Sequence, residues 1–330
     1  MLQLKNTTPF ASSIALFPNE NGVDTLYTMI KGSFKLEGSW VLSETQLPPQ
    51  AEDEYWGEPG TSSIRLASDY HTGKPSTDVI VIGEAYAPEG RVVTQLDVEI
   101  SVGRINKVIR VFGDRIWQQG KASAPKPFKT MPLVYERAFG GTHQIDEETC
   151  LSEERNPIGR GFKGKRRSSE FDGTMLPNIE NPEELISCPE DCPQPVGVGY
   201  CSPDWLPRRS YAGTYDERWQ LSQAPYLPQD FDPRFLNSAH PDLIYPGRLF
   251  GGEALTVKNM HPEGEIKALL PQVKILCQVN LRGKKSELPV NLETLIVEPN
   301  KKQVSMVWRA AYECDKKALE VNEIEIKLSR

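Results

Sequence analysis

Alternation of apolar and polar residues is the main pattern in the first third of the chain. In "TQLDVEISVG" (94–103), apolar residues occupy every second position from Leu96 to Val102, and polar residues lie between them. This period of two is typical of a strand with one buried face. The run "VIRVFGDRIW" follows closely, so the sequence predicts a hairpin that turns near Gly103. "TLYTMIKGSFKL" and "TDVIVIGEAYAP" are rich in β-branched and aromatic residues and are also predicted to be strands.

The C-terminal part of the chain repeats this pattern. "VKILCQVNL" (273–281) and the terminal "NEIEIKL" (322–328) alternate, and "NLETLIVEPNKKQVSMVWRA" (291–310) indicates two strands joined by a polar turn at "EPNKKQ". Strands therefore crowd both chain ends, whereas long amphipathic helices are scarce. We expect a mainly β fold, with antiparallel, sandwich-like sheets built from both chain ends.

The middle of the chain has a different composition. Residues 121–250 contain 16 of the 27 prolines, and proline fixes φ and removes a backbone donor. The same segment is rich in aromatic residues, which a disordered linker normally lacks. We therefore expect one β-rich domain over residues 1–330, with N-terminal strands (1–120), a long ordered irregular segment (121–250) and C-terminal strands (251–330). Few short helices are expected, one of them at "NPEELI" (181–186), where Asn181 is a suitable cap and Pro182 suits the first turn.

Charge and composition exclude several classes of function. The chain has 38 Lys and Arg against 45 Asp and Glu, so it lacks the basic excess that phosphate-backbone binding requires. No secretory signal and no membrane-spanning run of apolar residues is recognisable. Six cysteines in 330 residues suit a reducing compartment. We expect a cytoplasmic protein that binds neither nucleic acid nor membranes.

Motifs for cofactors and metals are weak. "GRGFKG" (159–164) matches G-x-G-x-x-G, but no buried strand precedes it and no apolar helix follows, so a flexible loop is expected. "CPEDCPQPVGVGYC" brings Cys188, Cys192 and Cys201 close in sequence without a local fourth zinc ligand, which Cys150 could supply only through a tertiary contact. The four histidines are far apart. We therefore predict no cofactor, no metal site and no catalytic residue.

One enzymatic alternative rests on acids in the stretch "AGTYDERWQLSQAPYLPQDFDPRFLN" (212–237). A pair of them would serve glycoside hydrolysis, with Trp219 and Tyr215 stacking on a sugar. The candidate carboxylates are Asp216, Glu217, Asp230 and Asp232. The structural alternative is that these acids accept backbone N–H groups of irregular chain and are clamped by Arg218 or Arg234.

Several longer blocks resemble a bacterial family of a domain of unknown function. The blocks are "MPLVYERAFGG" (131–141), "ERNPIGRGF" (154–162), "LPNIENPEELI" (176–186), "AGTYDERW" (212–219), "LPQDFDPRFLNSAHPD" (227–242) and "LFGGEALTVKNMHPEG" (249–264). Members are encoded in type VI secretion clusters beside the spike protein VgrG and PAAR-repeat effectors. The resemblance implies a non-enzymatic adaptor chaperone that binds an effector, or its PAAR-containing part, and helps to load it onto the VgrG spike.

The resemblance also marks candidate site residues, which either contact cargo or hold the fold. They are Arg137, Asn156, Arg209, Tyr215, Asp216, Trp219, Asp230, Arg234, Phe235 and Asn237. Replacing Trp219 or Phe235 by Ala is expected to weaken cargo capture or to unfold the adaptor. A second route of binding is strand addition, for which the charged terminal strand "NEIEIKL" is the candidate edge.

Overall fold

The computed structural model describes residues 2–329, and its fold is mainly β. Strands account for 40% of the chain and helices for 11%, which confirms the fold class predicted from the alternating patterns. No helix within residues 2–329 has the length and apolar character needed to cross a membrane.

Longer strands lie in the N-terminal and C-terminal thirds. Those of the N-terminal third are β1 (Gln3–Asn6), β2 (Ala11–Pro18), β3 (Asp24–Glu37), β4 (Ser39–Leu42), β5 (Glu54–Tyr55), β6 (Ile64–Leu66), β7 (Asp78–Val81), β8 (Glu84–Tyr86), β9 (Gln95–Val102) and β10 (Ile105–Phe112). The middle contains only short pieces, β11 (Trp117–Gln118), β12 (Lys121–Ala122), β13 (Thr130–Pro132), β14 (Phe139–Gly140), β15 (Thr142–Gln144), β16 (Cys150–Ser152), β17 (Arg160–Gly161) and β18 (Ile179–Glu180). The C-terminal strands are β19 (Ala254–Lys258), β20 (Glu265–Leu269), β21 (Ile275–Leu281), β22 (Lys284–Leu288), β23 (Asn291–Glu298), β24 (Gln303–Glu313) and β25 (Val321–Leu328).

Helical segments are short. The α-helices are α1 (Ser168–Phe171) and α2 (Glu217–Ser222). Short 3₁₀ segments lie at Pro88–Gly90, Tyr135–Arg137, Arg208–Tyr211, Pro233–Leu236, Pro241–Leu243, Pro299–Lys301 and Asp315–Glu320. The prediction of a helix at "NPEELI" is wrong, because this stretch forms only a turn. Asn181 does accept the N–H of Glu183, as a cap would, but the N–H of Ile186 then donates to the Glu180 carboxylate and the chain leaves the helical path.

The first sheet combines strands from both chain ends. Its order is β2-β3-β24-β23-β7, with β4 paired to the end of β3. The predicted turn at "EPNKKQ" joins β23 to β24, and the parallel partner of β23 is β7. The interleaving of early and late strands confirms that both chain ends build the sheets.

The second sheet has the order β1-β25-β21-β22. The prediction that the terminal "NEIEIKL" strand is an edge is therefore wrong. β25 lies between β1, which pairs with it in parallel register from Gln3 to Asn6, and β21, which is antiparallel to it. Its inward residues Ile324 and Ile326 are fully buried, which explains the alternation seen in the sequence.

The third sheet contains the predicted hairpin. Its order is β18-β10-β9-β19-β20, and β9 turns into β10 through Gly103, whose positive φ of 55° suits a tight turn. All three sheets contribute to one hydrophobic cluster that includes Met306, Ile324 and Val98, each fully buried. Because every sheet buries a face in this cluster, the loops on the outer surface are held on a rigid base.

Two smaller apolar clusters pin the middle segment, as the aromatic content predicted. One contains Trp117, Phe139, Phe171, Leu176 and Ile186. The other contains Tyr135, Cys201 and Trp205, in which the two aromatic rings meet edge to face at 5.2 Å. The irregular chain between residues 121 and 250 is thus ordered by packing instead of by a continuous sheet.

Candidate functional site

The stretch from residue 212 to residue 237, here called the 212–237 surface, is an ordered part of the protein exterior. At its centre α2 begins after Asp216, whose Oδ1 accepts the backbone N–H of Trp219 at 2.8 Å. This is an N-cap bond, which satisfies one of the free donors at a helix start. Asp216 is therefore occupied in starting the helix.

A second carboxylate closes the loop that leads into α2. Asp230 accepts both the backbone N–H of Thr214, at 2.9 Å, and its hydroxyl, at 2.7 Å. These hydrogen bonds stabilise the ionised carboxylate, so the pKa of Asp230 is lowered, first by the Thr214 backbone and then by its side chain. Gly213 fits beside this clamp with φ of 81°, and a Cβ there would come within 3.0 Å of Asp230 Oδ1.

The third acid is held by an arginine, as the structural alternative predicted. Arg234 Nε donates to Asp232 Oδ2 at 2.9 Å, and its guanidinium lies 4.3 Å from the ring centre of Tyr211. The backbone N–H of Arg234 also donates to Asp232 Oδ1 at 2.9 Å. The side-chain bond from Arg234 is the main reason that the pKa of Asp232 is lowered.

Aromatic residues give the surface its apolar character. Tyr215 and Trp219 meet edge to face at 4.7 Å, and Trp219 Nε1 donates to the carbonyl of Tyr226 at 2.8 Å. A shallow cleft of about 530 Å³ lies between α2 and the chain around Pro228. Tyr215, Leu221 and Tyr226 are exposed by 53%, 82% and 42%. The surface therefore has apolar side chains that no residue of 2–329 covers.

A buried polar network ties the end of this surface to the first sheet. The Asp78 carboxylate, fully buried, accepts Nδ2 of Asn237 at 2.7 Å, the N–H of Ser238 at 2.8 Å and Nζ of Lys74 at 2.7 Å. Lys74 also donates to the hydroxyl of Thr294 at 2.9 Å. A buried charge is tolerated only when it is paired and hydrogen-bonded, so this network holds the irregular segment at one position on β7.

Arg208 gives a second anchor that the sequence interpretation missed. Its Nε donates to the carbonyl of Phe235 at 2.8 Å, and Nη1 donates to the carbonyl of Cys201 at 2.7 Å. The same guanidinium lies 5.1 Å from the ring centre of Phe235, which in turn meets Phe231 edge to face. The sequence around Arg208, "PRRSY", shows only two neighbouring basic residues. It contains no signal for a contact with Phe235, which lies more than twenty residues later.

The remaining signature residues lie outside the 212–237 surface. Asn156 is fully buried, and its Nδ2 donates to the carbonyls of Tyr135 and Phe139 at 2.8 and 3.0 Å. Arg137 Nη1 donates to Asn178 Oδ1 at 2.9 Å, and Arg209 forms an exposed ion pair with Glu154 at 3.0 Å. Seven of the ten candidates belong to the 212–237 surface by their position in the sequence, and Arg209 lies just before it. Arg137 and Asn156 support the fold elsewhere.

The loop cysteines and glycines do not assemble a site. Cys201 is buried with its Sγ 3.1 Å from the hydroxyl of Tyr135, whereas Cys188 donates to Asp191 and Cys192 is exposed. Within residues 2–329 no group of three or more His, Cys, Asp and Glu side chains is arranged to hold a metal ion. The loop expected at "GRGFKG" contains a short strand, because Arg160 and Gly161 form β17 and pair with β14. A Cβ at Gly159 would lie 2.4 Å from Nδ2 of Asn156. This glycine is needed for close packing.

A titratable cluster, absent from the sequence predictions, joins the buried Lys107 to two residues of the "SAHPD" block (238–242), the mostly buried His240 and the exposed Asp242. Lys107 Nζ donates to His240 Nδ1 at 2.9 Å and to Asp242 Oδ2 at 2.8 Å, and His240 Nε2 donates to the carbonyl of Pro195 at 3.0 Å. Burial, and then the neighbouring Lys107 charge, lowers the pKa of His240 to about 4. Each polar atom of the imidazole has a partner, so His240 acts as a neutral structural group.

Comparison with known proteins connects these features to one family. A family model described as an uncharacterized protein conserved in bacteria (DUF2169) matches residues 21–309. No curated protein and no solved structure matches the chain. The matched range includes the 212–237 surface, its anchors on β7 and most strands of the first and third sheets.

Proposed function

The chain belongs to this conserved bacterial family, and we propose that it is a non-enzymatic adaptor chaperone of type VI secretion. In this proposal it binds an effector, or the PAAR-containing region of one, and promotes loading of that effector onto the VgrG spike. The sequence blocks between residues 131 and 264 suggest this role.

The observation that carries the proposal is the pre-ordered state of the 212–237 surface. Several of its polar side chains are used internally, in the Asp216 cap, the Asp230 clamp and the anchor of Asn237 on Asp78. Three of its aromatic and aliphatic side chains, Tyr215, Leu221 and Tyr226, instead face outward, with Leu221 the most exposed at 82%. A rigid surface with exposed aromatic groups binds a protein with little further loss of conformational entropy.

The second candidate is a carbohydrate-active hydrolase, favoured by the cleft of about 530 Å³ beside Trp219. A glycosidase needs one carboxylic acid with a raised pKa to protonate the leaving group. The pKa values of Asp230 and Asp232 are instead lowered, by Thr214 and Arg234. The arrangement of these acids supports the binding role more than the catalytic one.

The adaptor proposal is tested by co-expression with a PAAR-containing effector and VgrG from the same genome. The tagged chain is expected to co-purify the effector in near-equal amount and to raise its soluble fraction. The surface variant Leu221→Ser is expected to reduce capture, and Leu319→Ser is its matched control, because Leu319 is 98% exposed outside the 212–237 surface.

Absence of an effector complex with the wild-type chain would overturn the adaptor proposal. Turnover of a glycan by the purified chain, abolished by changing Asp216 or Asp230, would instead establish the hydrolase. Equal loss of capture in Leu221→Ser and Leu319→Ser would show that the 212–237 surface is not the contact.

A further inference from the structure

Strand β2 is an open edge of the first sheet. Its eight residues pair on one side with β3, from Ala11 opposite Lys31 to Pro18 opposite Asp24. β2 ends the strand order of this sheet, and no other strand within residues 2–329 pairs with it. In an antiparallel pair alternate residues direct their N–H and C=O groups away from the partner, so β2 presents free backbone donors and acceptors along its outer side.

β2 differs in composition from edge strands of the second and third sheets. Residues 6–19, "NTTPFASSIALFPN", contain no charged side chain. The edges of the second sheet carry Lys5 in β1 and two lysines in β22, and the β20 edge of the third sheet carries Glu265 and Lys267. Charged residues on edge strands are a usual protection against pairing with other chains, and β2 lacks this protection.

The far end of the first sheet is covered, so its accessible side is the one formed by β2, with β4 beyond it along β3. There the N–H of Val81 in β7 donates to the carbonyl of Val198 at 2.8 Å, and the N–H of Tyr245 donates to the carbonyl of Thr77 at 2.8 Å. The middle segment therefore protects β7 with backbone hydrogen bonds, and residues 2–329 supply no equivalent cover for β2.

Position connects β2 to the 212–237 surface. The turn between β2 and β3 contacts Tyr226, because a Cβ at Gly22 would lie only 3.2 Å from Cδ1 of that ring. Leu16, near the same end of β2, is 50% exposed. A protein bound on the 212–237 surface therefore lies beside the C-terminal end of β2, where a segment of it can run along the edge.

We propose that β2 is a strand-addition site, occupied by an extended segment of the same effector that binds the 212–237 surface. This inference rests on the proposed adaptor function. The segment is about six to eight residues long, contains no proline in its interior and carries uncharged side chains, because β2 offers no charge to pair with. Main-chain hydrogen bonds supply affinity, and apolar side chains opposite Ile14 and Leu16 supply selectivity.

Hydrogen exchange on the purified effector complex tests the proposal directly. About half of the β2 amides should point away from β3, and we expect these to exchange rapidly in the free chain. They are expected to become protected in the complex, together with the amides of 212–226. A complex in which only 212–226 gains protection would overturn the strand-addition site and leave the adaptor function standing.

A charge placed on the edge gives an independent test. Leu16→Lys is expected to weaken binding of the effector by roughly tenfold or more, because a lysine at the edge has to lose water without a partner. Leu319→Lys is the matched control, with the same change on an exposed 3₁₀ turn away from the edge. Circular dichroism checks that both variants keep the wild-type fold.

Three outcomes separate the two proposals. If Leu16→Lys binds the effector with wild-type affinity, and the β2 amides of the wild-type complex stay unprotected, only the strand-addition site is rejected. Failure of the wild-type chain to bind the effector would reject the adaptor function itself. Light scattering on the chain without effector gives the third outcome. If the wild-type chain is a dimer and the Leu16→Lys variant is a monomer, β2 pairs with a second copy of this chain, and its proposed role with the effector is overturned.

Discussion

At the scale of single residues, the polar signature residues divide by burial. Asn156 and Asn237 are buried, and their amides bond to carbonyls and to the Asp78 carboxylate. Asp216 and Asp230 are exposed but bond to backbone N–H groups of their own segment. These bonds replace those that irregular chain does not make in helices or sheets.

Removal of the Asn237 amide should lower global stability. Asn237→Ala deprives the buried Asp78 carboxylate of a donor at 2.7 Å. Because a hydrogen bond to a charged group contributes about 2 kcal/mol, the free energy of unfolding should fall by roughly that amount. Urea unfolding measures it. Asn106→Ala is the control at an exposed position of β10, and an equal loss there would contradict the network.

Exchange of the Asp216 carboxylate for an amide should have little effect. Asn is as good an N-cap as Asp, so Asp216→Asn should retain α2, effector capture and stability to within about 0.5 kcal/mol. Asp216→Ala removes the cap and should cost about 1 kcal/mol. Thermal unfolding and capture are measured on both variants. If the wild-type chain turns over a glycan and Asp216→Asn abolishes that turnover, then helix capping is not the role of Asp216.

At the scale of elements, the two ends of the 212–237 surface have different tasks. The α2 end is exposed and held by contacts within its own segment, such as the bond from Trp219 to the carbonyl of Tyr226. The other end, the 3₁₀ turn Pro233–Leu236, lies between Arg208 and the network on β7. Binding is therefore expected to depend on the first end and stability on the second.

Two aromatic substitutions should separate these tasks. Trp219→Ala should reduce effector capture while changing the free energy of unfolding by less than about 1 kcal/mol, because its contacts are local. Phe235→Ala removes a half-buried ring beside Arg208 and should cost about 2 kcal/mol. Capture assays and urea unfolding on both variants measure this. The opposite assignment, with Trp219→Ala the more destabilising, would contradict the division.

The sequence predicts individual strands but not which strands pair with each other. The alternation in "NEIEIKL" predicted β25 because a period of two is local, but the parallel partner β1 lies more than three hundred residues earlier. The sequence contains no local signal for that pairing, and for this reason the predicted edge is wrong. The open edge of β2 has no local signal either, since it depends on which strands end each sheet.

At the scale of the whole molecule, buried histidines make stability depend on pH. Burial, and then Lys107, lowers the pKa of His240 to about 4, and burial with Arg309 and Lys74 lowers that of His71 well below its usual range. The unfolded chain takes up these protons near pH 6.5, whereas the folded chain resists them. The stabilising contribution is therefore complete above about pH 6.5 and is lost as pH falls toward 4.

Urea unfolding between pH 7.5 and 4.5 measures this dependence. For His240 alone, the loss toward pH 4 corresponds to roughly 3 kcal/mol, at about 1.4 kcal/mol for each pH unit between the two pKa values. His240→Asn keeps an acceptor toward Lys107 and should flatten the curve. A wild-type stability that rises as pH falls through this window would contradict the neutral, buried state of both histidines.

The sequence by itself determined the mainly β fold, the Gly103 hairpin, the β23–β24 turn and an ordered proline-rich middle, because periodicity, turn residues and composition are local properties. It also indicated that acids in residues 212–237 satisfy backbone donors, since carboxylates in irregular chain have few other partners. Only the tertiary structure decided which strands are edges, that Arg208 and Asp78 anchor the 212–237 surface, and that Lys107 meets His240. Those contacts join residues far apart in the chain, and they exist only after the sheets have closed around a common core.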